Sequence, residues 1–156
     1  MRILVSGIPG AGKTFVIDDV LKCLRKGCDW QDVIRYSDTI VAIKPGNPID
    51  FISSESFLKR LYNDKSIYNR DLAFVNALSP GMDCIVEYAF GDRPEPAHAA
   101  FFDVILNVSQ FNYAKKFITV VKNRYGKSGQ LLSFEIVEAA NPNENGINIT
   151  ERKYVE

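Results

Sequence analysis

Glycines at positions 7, 10 and 12, followed at once by Lys13 and Thr14, make up the stretch GIPGAGKT, residues 7–14, which fits the pattern G-x-x-x-x-G-K-[ST]. Each part has a reason in phosphate chemistry. Glycines let successive backbone N–H groups turn inward onto phosphate oxygens, and a helix that begins at such a loop adds the positive end of its dipole. The Lys13 ammonium has the reach to neutralise β- and γ-phosphate oxygens, and the Thr14 hydroxyl is a ligand for Mg²⁺. The stretch predicts a nucleoside triphosphate site, with ATP and Mg²⁺ as the expected cofactors. It assigns cofactor contacts to Gly7, Pro9, Gly10, Ala11, Gly12, Lys13, Thr14 and Phe15.

Such a site also needs an acid at the end of a neighbouring apolar strand, to hold the metal or its water shell. Glu87, directly after Cys84, Ile85 and Val86, is the best positioned candidate. With Thr14 it makes the expected metal pair; a glutamate in place of the more usual aspartate also has the length to act through water or as the base. The plainer alternative is an edge acid hydrogen-bonded at a sheet end. Asp38, in RYSDT, is a second candidate at a strand end.

The elements around these residues are those a phosphate loop requires. Residues 2–6, RILVS, form a short apolar run that reads as a buried strand leading into the loop. Ile17, Val20, Leu21 and Leu24 then recur at helical spacing until Lys26 and Gly27 supply a basic last turn and a stop. Residues 32–43 are rich in β-branched side chains and predict one or two strands, ended by KPGNP. Ser53 or Ser54 is expected to cap a helix carrying Phe57, Leu58 and Leu61, and a second helix is expected over residues 68–78. CIVEYA, residues 84–89, reads as a strand, and GDRPEPAHAA as a proline-rich surface loop. FDVILNV, residues 102–108, reads as a buried strand. Residues 118–122 and 131–137 read as two more, joined by NRYGKSGQ as a β-hairpin. From about residue 140 the chain is a polar tail with a weak strand signal at 147–149.

These elements predict an α/β fold with a mostly parallel central sheet, flanking helices and an antiparallel C-terminal hairpin. No linker interrupts residues 1–156, so one domain is expected. Of these residues 46% are apolar and 24% charged, with 19 basic and 19 acidic side chains. That composition excludes a disordered or fibrous chain and leaves the net charge silent on nucleic acid. No run approaches the roughly 18 apolar residues of a membrane span, and RILVS is too short for the core of a signal peptide. Three cysteines without paired C-x-x-C spacing read as reduced thiols, which makes a cytoplasmic location the expectation.

Loops of this type occur in several branches of the P-loop (Walker A) superfamily, among them small-molecule kinases, AAA proteins and RecA-like ATPases. The late segment FDVILNVSQFNYAKKFITVVKNRYGKSGQLLSFEI, 35 residues, resembles the closing part of the RecA-like core in the RadA and DnaB families. The matching positions are Asp103, the run Lys122, Asn123, Arg124, Tyr125 and Gly126, and then Phe134, Glu135 and Ile136. The resemblance implies that Lys122 and Arg124 project from one subunit toward the γ-phosphate bound by its neighbour, where positive charge stabilises the transferring phosphoryl group. Two apart at a strand end, they would share a face. Taken without the resemblance, they read as solvated charges beside a turn.

FISSES, residues 51–56, is a fainter echo of the RadA-like segment that carries an acid polarising the attacking water. Glu55 would be that acid, although capping serines with a first-turn glutamate explain the same letters. Lys44, Lys59, Arg60, Arg70 and Arg93 offer a basic surface for single-stranded DNA, with Phe90 or His98 to stack bases; scattered basic residues are equally ordinary surface. The resemblance thus implies a RecA-like, Mg-ATP-hydrolysing protein, oligomeric, acting in DNA recombination or strand handling. The opening MRILVSGIPGAGKT also resembles adenylate-kinase-like enzymes, so a small nucleotide or metabolite kinase is the alternative. A nucleotide-binding scaffold with little turnover is the third.

Overall fold

The computed structural model describes residues 1–37, 40–43, 83–88, 99–100, 102–112 and 115–154. The apolar opening run is strand β1 (Arg2–Ser6), buried from Ile3 onward. After the loop comes helix α1 (Lys13–Arg25), whose buried Val16, Ile17, Val20, Leu21 and Leu24 form one stripe. Burying each such side chain is worth about 1.5–3 kcal/mol. Lys26 caps α1, its N–H on the Cys23 carbonyl, and Gly27 follows at φ 75° with its N–H on the Leu24 carbonyl, the predicted stop.

Two strands follow in the parallel half: β2 (Val41–Ile43) and β3 (Cys84–Tyr88). The remaining strands are β4 (Val104–Phe111), β5 (Lys115–Asn123), β6 (Gln130–Val137) and β7 (Gly146–Tyr154). All seven lie in one sheet in the order β2-β3-β1-β4-β5-β6-β7. The first helix and the strands around it fall where the apolar patterns put them. The helices expected at 53–61 and 68–78 lie outside the described residues.

Two expectations need correction. Among the described residues the sheet is half parallel: β2, β3, β1 and β4 pair in parallel, while β4–β5, β5–β6 and β6–β7 are all antiparallel. The last antiparallel pair comes from the polar tail, whose weak strand signal at 147–149 widens into a full edge strand, β7. Its sequence is polar because β7 lies at the sheet edge and five of its nine residues are exposed in succession, leaving little apolar alternation to read. Its near end is bound by a part-buried polar contact instead. Asp19 of α1 accepts the Ile147 backbone N–H at 3.1 Å and the Trp30 indole N–H at 2.7 Å.

One face of the sheet packs on α1. Ile3, Val5, Ile85, Val104, Leu106, Val108, Ile118, Val120, Leu132 and Phe134 join the helix stripe in a single buried cluster. Between β4 and β5 the register shifts, Ile105 facing Lys122 and Leu106 facing Val120, so Val121 is an extra residue in a bulge. The strand β1 has β3 on one side and β4 on the other. Its carboxyl end is therefore the switch point of the parallel half, where α/β sheets bind their ligands.

Candidate functional site

The loop leaves β1 at that carboxyl end, and the sheet dictates its shape. A Cβ on Gly7 would sit 2.4 Å from the Val108 carbonyl oxygen of β4, so only glycine lets the chain pass there. Gly12, the N-cap of α1, has φ 106°, a backbone state that side chains resist. Beneath it lie Phe134 and Ile136 of β6, 3.5 and 3.6 Å from where its Cβ would be. The turn is closed by the Ala11 N–H, which donates to the Ile8 carbonyl at 3.3 Å.

Lys13 opens α1 and folds back over the loop. Its Nζ donates to the same Ile8 carbonyl at 2.8 Å, and the residue is only 4% exposed. Burial pushes its ammonium below its ordinary pKa, and the Glu87 carboxylate opposes that shift. Glu87 stands beside Val5 in the β1–β3 register, on the α1 face of the sheet. Thr14 is exposed, next to Lys13 in the first turn, and Phe15 is half-buried. Pro9 and Gly10 are exposed on the loop crest, with Ile8 49% exposed beside them. The sequence-predicted loop residues, Lys13 and Glu87 are thus brought together at one end of the sheet.

On the other side of β1, the Asn107 amide of β4 donates to the hydroxyl of fully buried Ser6 at 3.1 Å. Sequence reasoning gave Asn107 no place at the loop, because its N-V-S pattern says nothing about which strand stands beside it. It also missed Lys116. From β5 the Lys116 ammonium reaches the loop carbonyls of Gly10 and Ala11 at 3.4 and 3.3 Å and the Gln110 side chain at 3.2 Å. No spacing in FNYAKKF announces this, because the contact depends on how β5 is registered against β4.

Lys122 and Arg124 sit elsewhere. Asn123 at the end of β5 pairs with Val104, which in turn stands beside Ile3, so this end of the hairpin is at the amino edge of the parallel strands. Arg124 Nη1 is 2.8 Å from Asp103 Oδ1, while Asp103 Oδ2 accepts the Arg2 backbone N–H at 2.8 Å. Lys122 Nζ donates to the Ala99 carbonyl at 2.8 Å, and burial together with nearby Arg124 lowers its pKa. The two cations stay close to one another, and more than half of the Arg124 side chain is exposed. Six strand steps of about 3.3 Å put Lys122 roughly 20 Å from Lys116, at the end of the sheet opposite its own phosphate loop. Asp38, Glu55, Lys44, Lys59, Arg60, Arg70, Phe90, Arg93 and His98 lie outside the described residues.

No protein-family model matches the sequence, and no curated protein matches it. Among solved structures, the chain is similar to a KaiC-like protein from the hyperthermophilic archaeon Pyrococcus horikoshii OT3. The TM-score is 0.55 at 14% sequence identity, over 96% of this chain and 89% of that one. At that identity the likeness is one of fold alone, an α/β fold shared with that protein. Among the described residues, no helix is long and apolar enough to cross a membrane.

Proposed function

We propose that this protein is a P-loop ATPase of RecA-like type that binds Mg-ATP and hydrolyses it best when assembled, each site being completed by Arg124 of a neighbouring subunit. The observation that carries this reading is the convergence of the Lys13 ammonium and the Ala11 N–H on a single acceptor, the Ile8 carbonyl. Two donors held ready at one point, at the head of a helix, are what an incoming phosphate oxygen would take over.

Lys13 then neutralises the β- and γ-phosphate oxygens, and Thr14 and Glu87 are the residues that would hold Mg²⁺. An exposed hydroxyl and a nearby carboxylate fit that hard cation. Bound Mg²⁺ would supply charge neutralisation across the β- and γ-oxygens. Water attacks the γ-phosphorus, the bond to the bridging oxygen of ADP breaks, and the water proton passes to a carboxylate, with Glu87 or Glu55 as the candidates. Arg124 serves the neighbouring site. Its distance from its own loop supports a role in trans, since a finger acting in cis would have to span the sheet. The resemblance to RadA and DnaB extends the proposal to single-stranded DNA and to recombination or strand handling.

The test is phosphate release from ATP with and without single-stranded DNA, beside a mass measurement in solution. DNA-stimulated hydrolysis by an oligomer, lost in Arg124→Ala with ATP binding retained, is the expected result. A monomer whose turnover depends on a small phosphate acceptor would overturn it in favour of a kinase, and ATP binding without turnover would leave a scaffold.

A further inference from the structure

The near end of β5 contributes a cation that neither the loop motif nor the finger motif includes. Lys116 lies on the α1 face of the sheet, paired with Gln110 on one side and Phe134 on the other. Its ammonium donates to the carbonyls of Gly10 and Ala11, and Gln110 Oε1 holds it from the β4 side at 3.2 Å. A planar trans peptide points its N–H opposite to its C=O. Securing the Ala11 carbonyl on the Lys116 side therefore turns the Gly12 N–H to the opposite side of the loop. Securing the Gly10 carbonyl does the same for the Ala11 N–H, the donor already directed at Ile8.

We infer that Lys116 is a positioning residue of the phosphate site: it clamps the outer carbonyls of the loop so that the Ala11 and Gly12 amides face the triphosphate. The inference rests on the phosphate-binding reading above and deepens it, since it names a residue of the same chain that sets the loop's hydrogen-bond polarity. The loop has few other restraints at that point. Pro9 and Gly10 are exposed, and the atoms nearest to where a Gly12 Cβ would sit are the apolar tips of Phe134 and Ile136. Against that background, one ammonium within 3.3–3.4 Å of two adjacent crest carbonyls ties the loop to β5.

Because Lys116 acts on the loop amides and not on the γ-phosphate, its loss should weaken ATP and ADP alike. The experiment is fluorescence titration of wild type, Lys116→Gln, Lys116→Arg and Lys115→Gln with mant-ATP and mant-ADP, together with urea unfolding of each protein. Expected is about a tenfold rise in Kd for both nucleotides in Lys116→Gln. Lys116→Arg should recover most of the affinity, exposed Lys115→Gln should bind as wild type, and the unfolding midpoints should coincide. Equal affinity in wild type and Lys116→Gln overturns the inference and leaves the phosphate reading standing. A loss confined to mant-ATP overturns it too, by making Lys116 a direct γ-phosphate contact, and a loss matched by a lowered unfolding midpoint makes it merely structural. Failure of wild type to bind either nucleotide sinks the phosphate reading itself.

Discussion

The two ends of strand β5 carry lysines with opposite relations to the phosphate loop. At the near end, Lys116 touches Gly10 and Ala11 of its own loop. At the far end, Lys122 reaches Ala99, and Arg124 just beyond it is held by Asp103, at the amino edge of the sheet. One strand thus touches the glycine loop with one end and the opposite edge of the sheet with the other. Strand rise enforces the separation: a β-strand is rigid over this length, so a side chain at one end has no path to the other. The proposed finger on this hairpin therefore acts between subunits, and the proposed loop clamp within one.

That contrast can be broken in several ways, the first expected to be the largest. Arg124→Ala should lower hydrolysis by roughly a thousandfold while mant-ATP affinity stays within about twofold. Mixing Arg124→Ala protein with Lys13→Ala protein should restore measurable phosphate release, because hybrid interfaces then pair an intact loop with an intact finger. Recovery absent from the mixture, with both single variants inactive and assembled, would place Arg124 in the service of its own chain.

The near end is probed by Gly7→Ala, whose Cβ would collide with the Val108 carbonyl. A stability loss of about 2–3 kcal/mol in urea unfolding is expected. A shift below about 0.5 kcal/mol would mean that the loop moves off β4 without cost.

The pH dependence of binding separates the ends further. The pKa of Lys13 is lowered by burial, so its charge is lost at a lower pH than that of a free lysine. The sign follows: the folded state binds this proton less tightly than the unfolded state. Between the lowered pKa and the ordinary value, rising pH therefore relieves a cost to folding. Triphosphate affinity moves the other way, falling by at most tenfold per pH unit as Lys13 loses its charge. Lys13→Arg should flatten that fall, because a guanidinium stays protonated; an unchanged slope would exclude Lys13 as its source.

The smallest effect belongs to the far-end anchor. Asp103→Asn keeps a side-chain acceptor for the Arg2 N–H and removes the charge opposite a mostly exposed Arg124, so stability should fall by less than about 1 kcal/mol. A larger loss in chemical denaturation would show that the ion pair, not the sheet pairing, holds this edge together.

Much of the near site could be read from the letters. The phosphate loop is local: strand, glycines, Lys13, Thr14 and helix follow one another within 25 residues, and each local preference agrees with the next. The place of Glu87 on β3, beside Val5 of β1, was also legible, since an acid in a short apolar strand is a short-range pattern. Lys116 and Asn107 were not, because their partners lie 105 and 101 residues away in sequence. The polar tail misled for a related reason: Ile147 and Ile149 are half-buried against the core cluster, while their polar neighbours face water at a sheet edge.

By itself, then, the sequence determined the loop, the helix behind it and the alternation of each inner strand, because these depend on near neighbours and on periodicity. Which residues surround the loop, and which end of β5 faces it, was decided by strand order and register. Those are set by burial shared across the whole sheet, and a slip of one residue would turn Lys116 away from Gly10 and Ala11 while leaving every motif in the sequence intact.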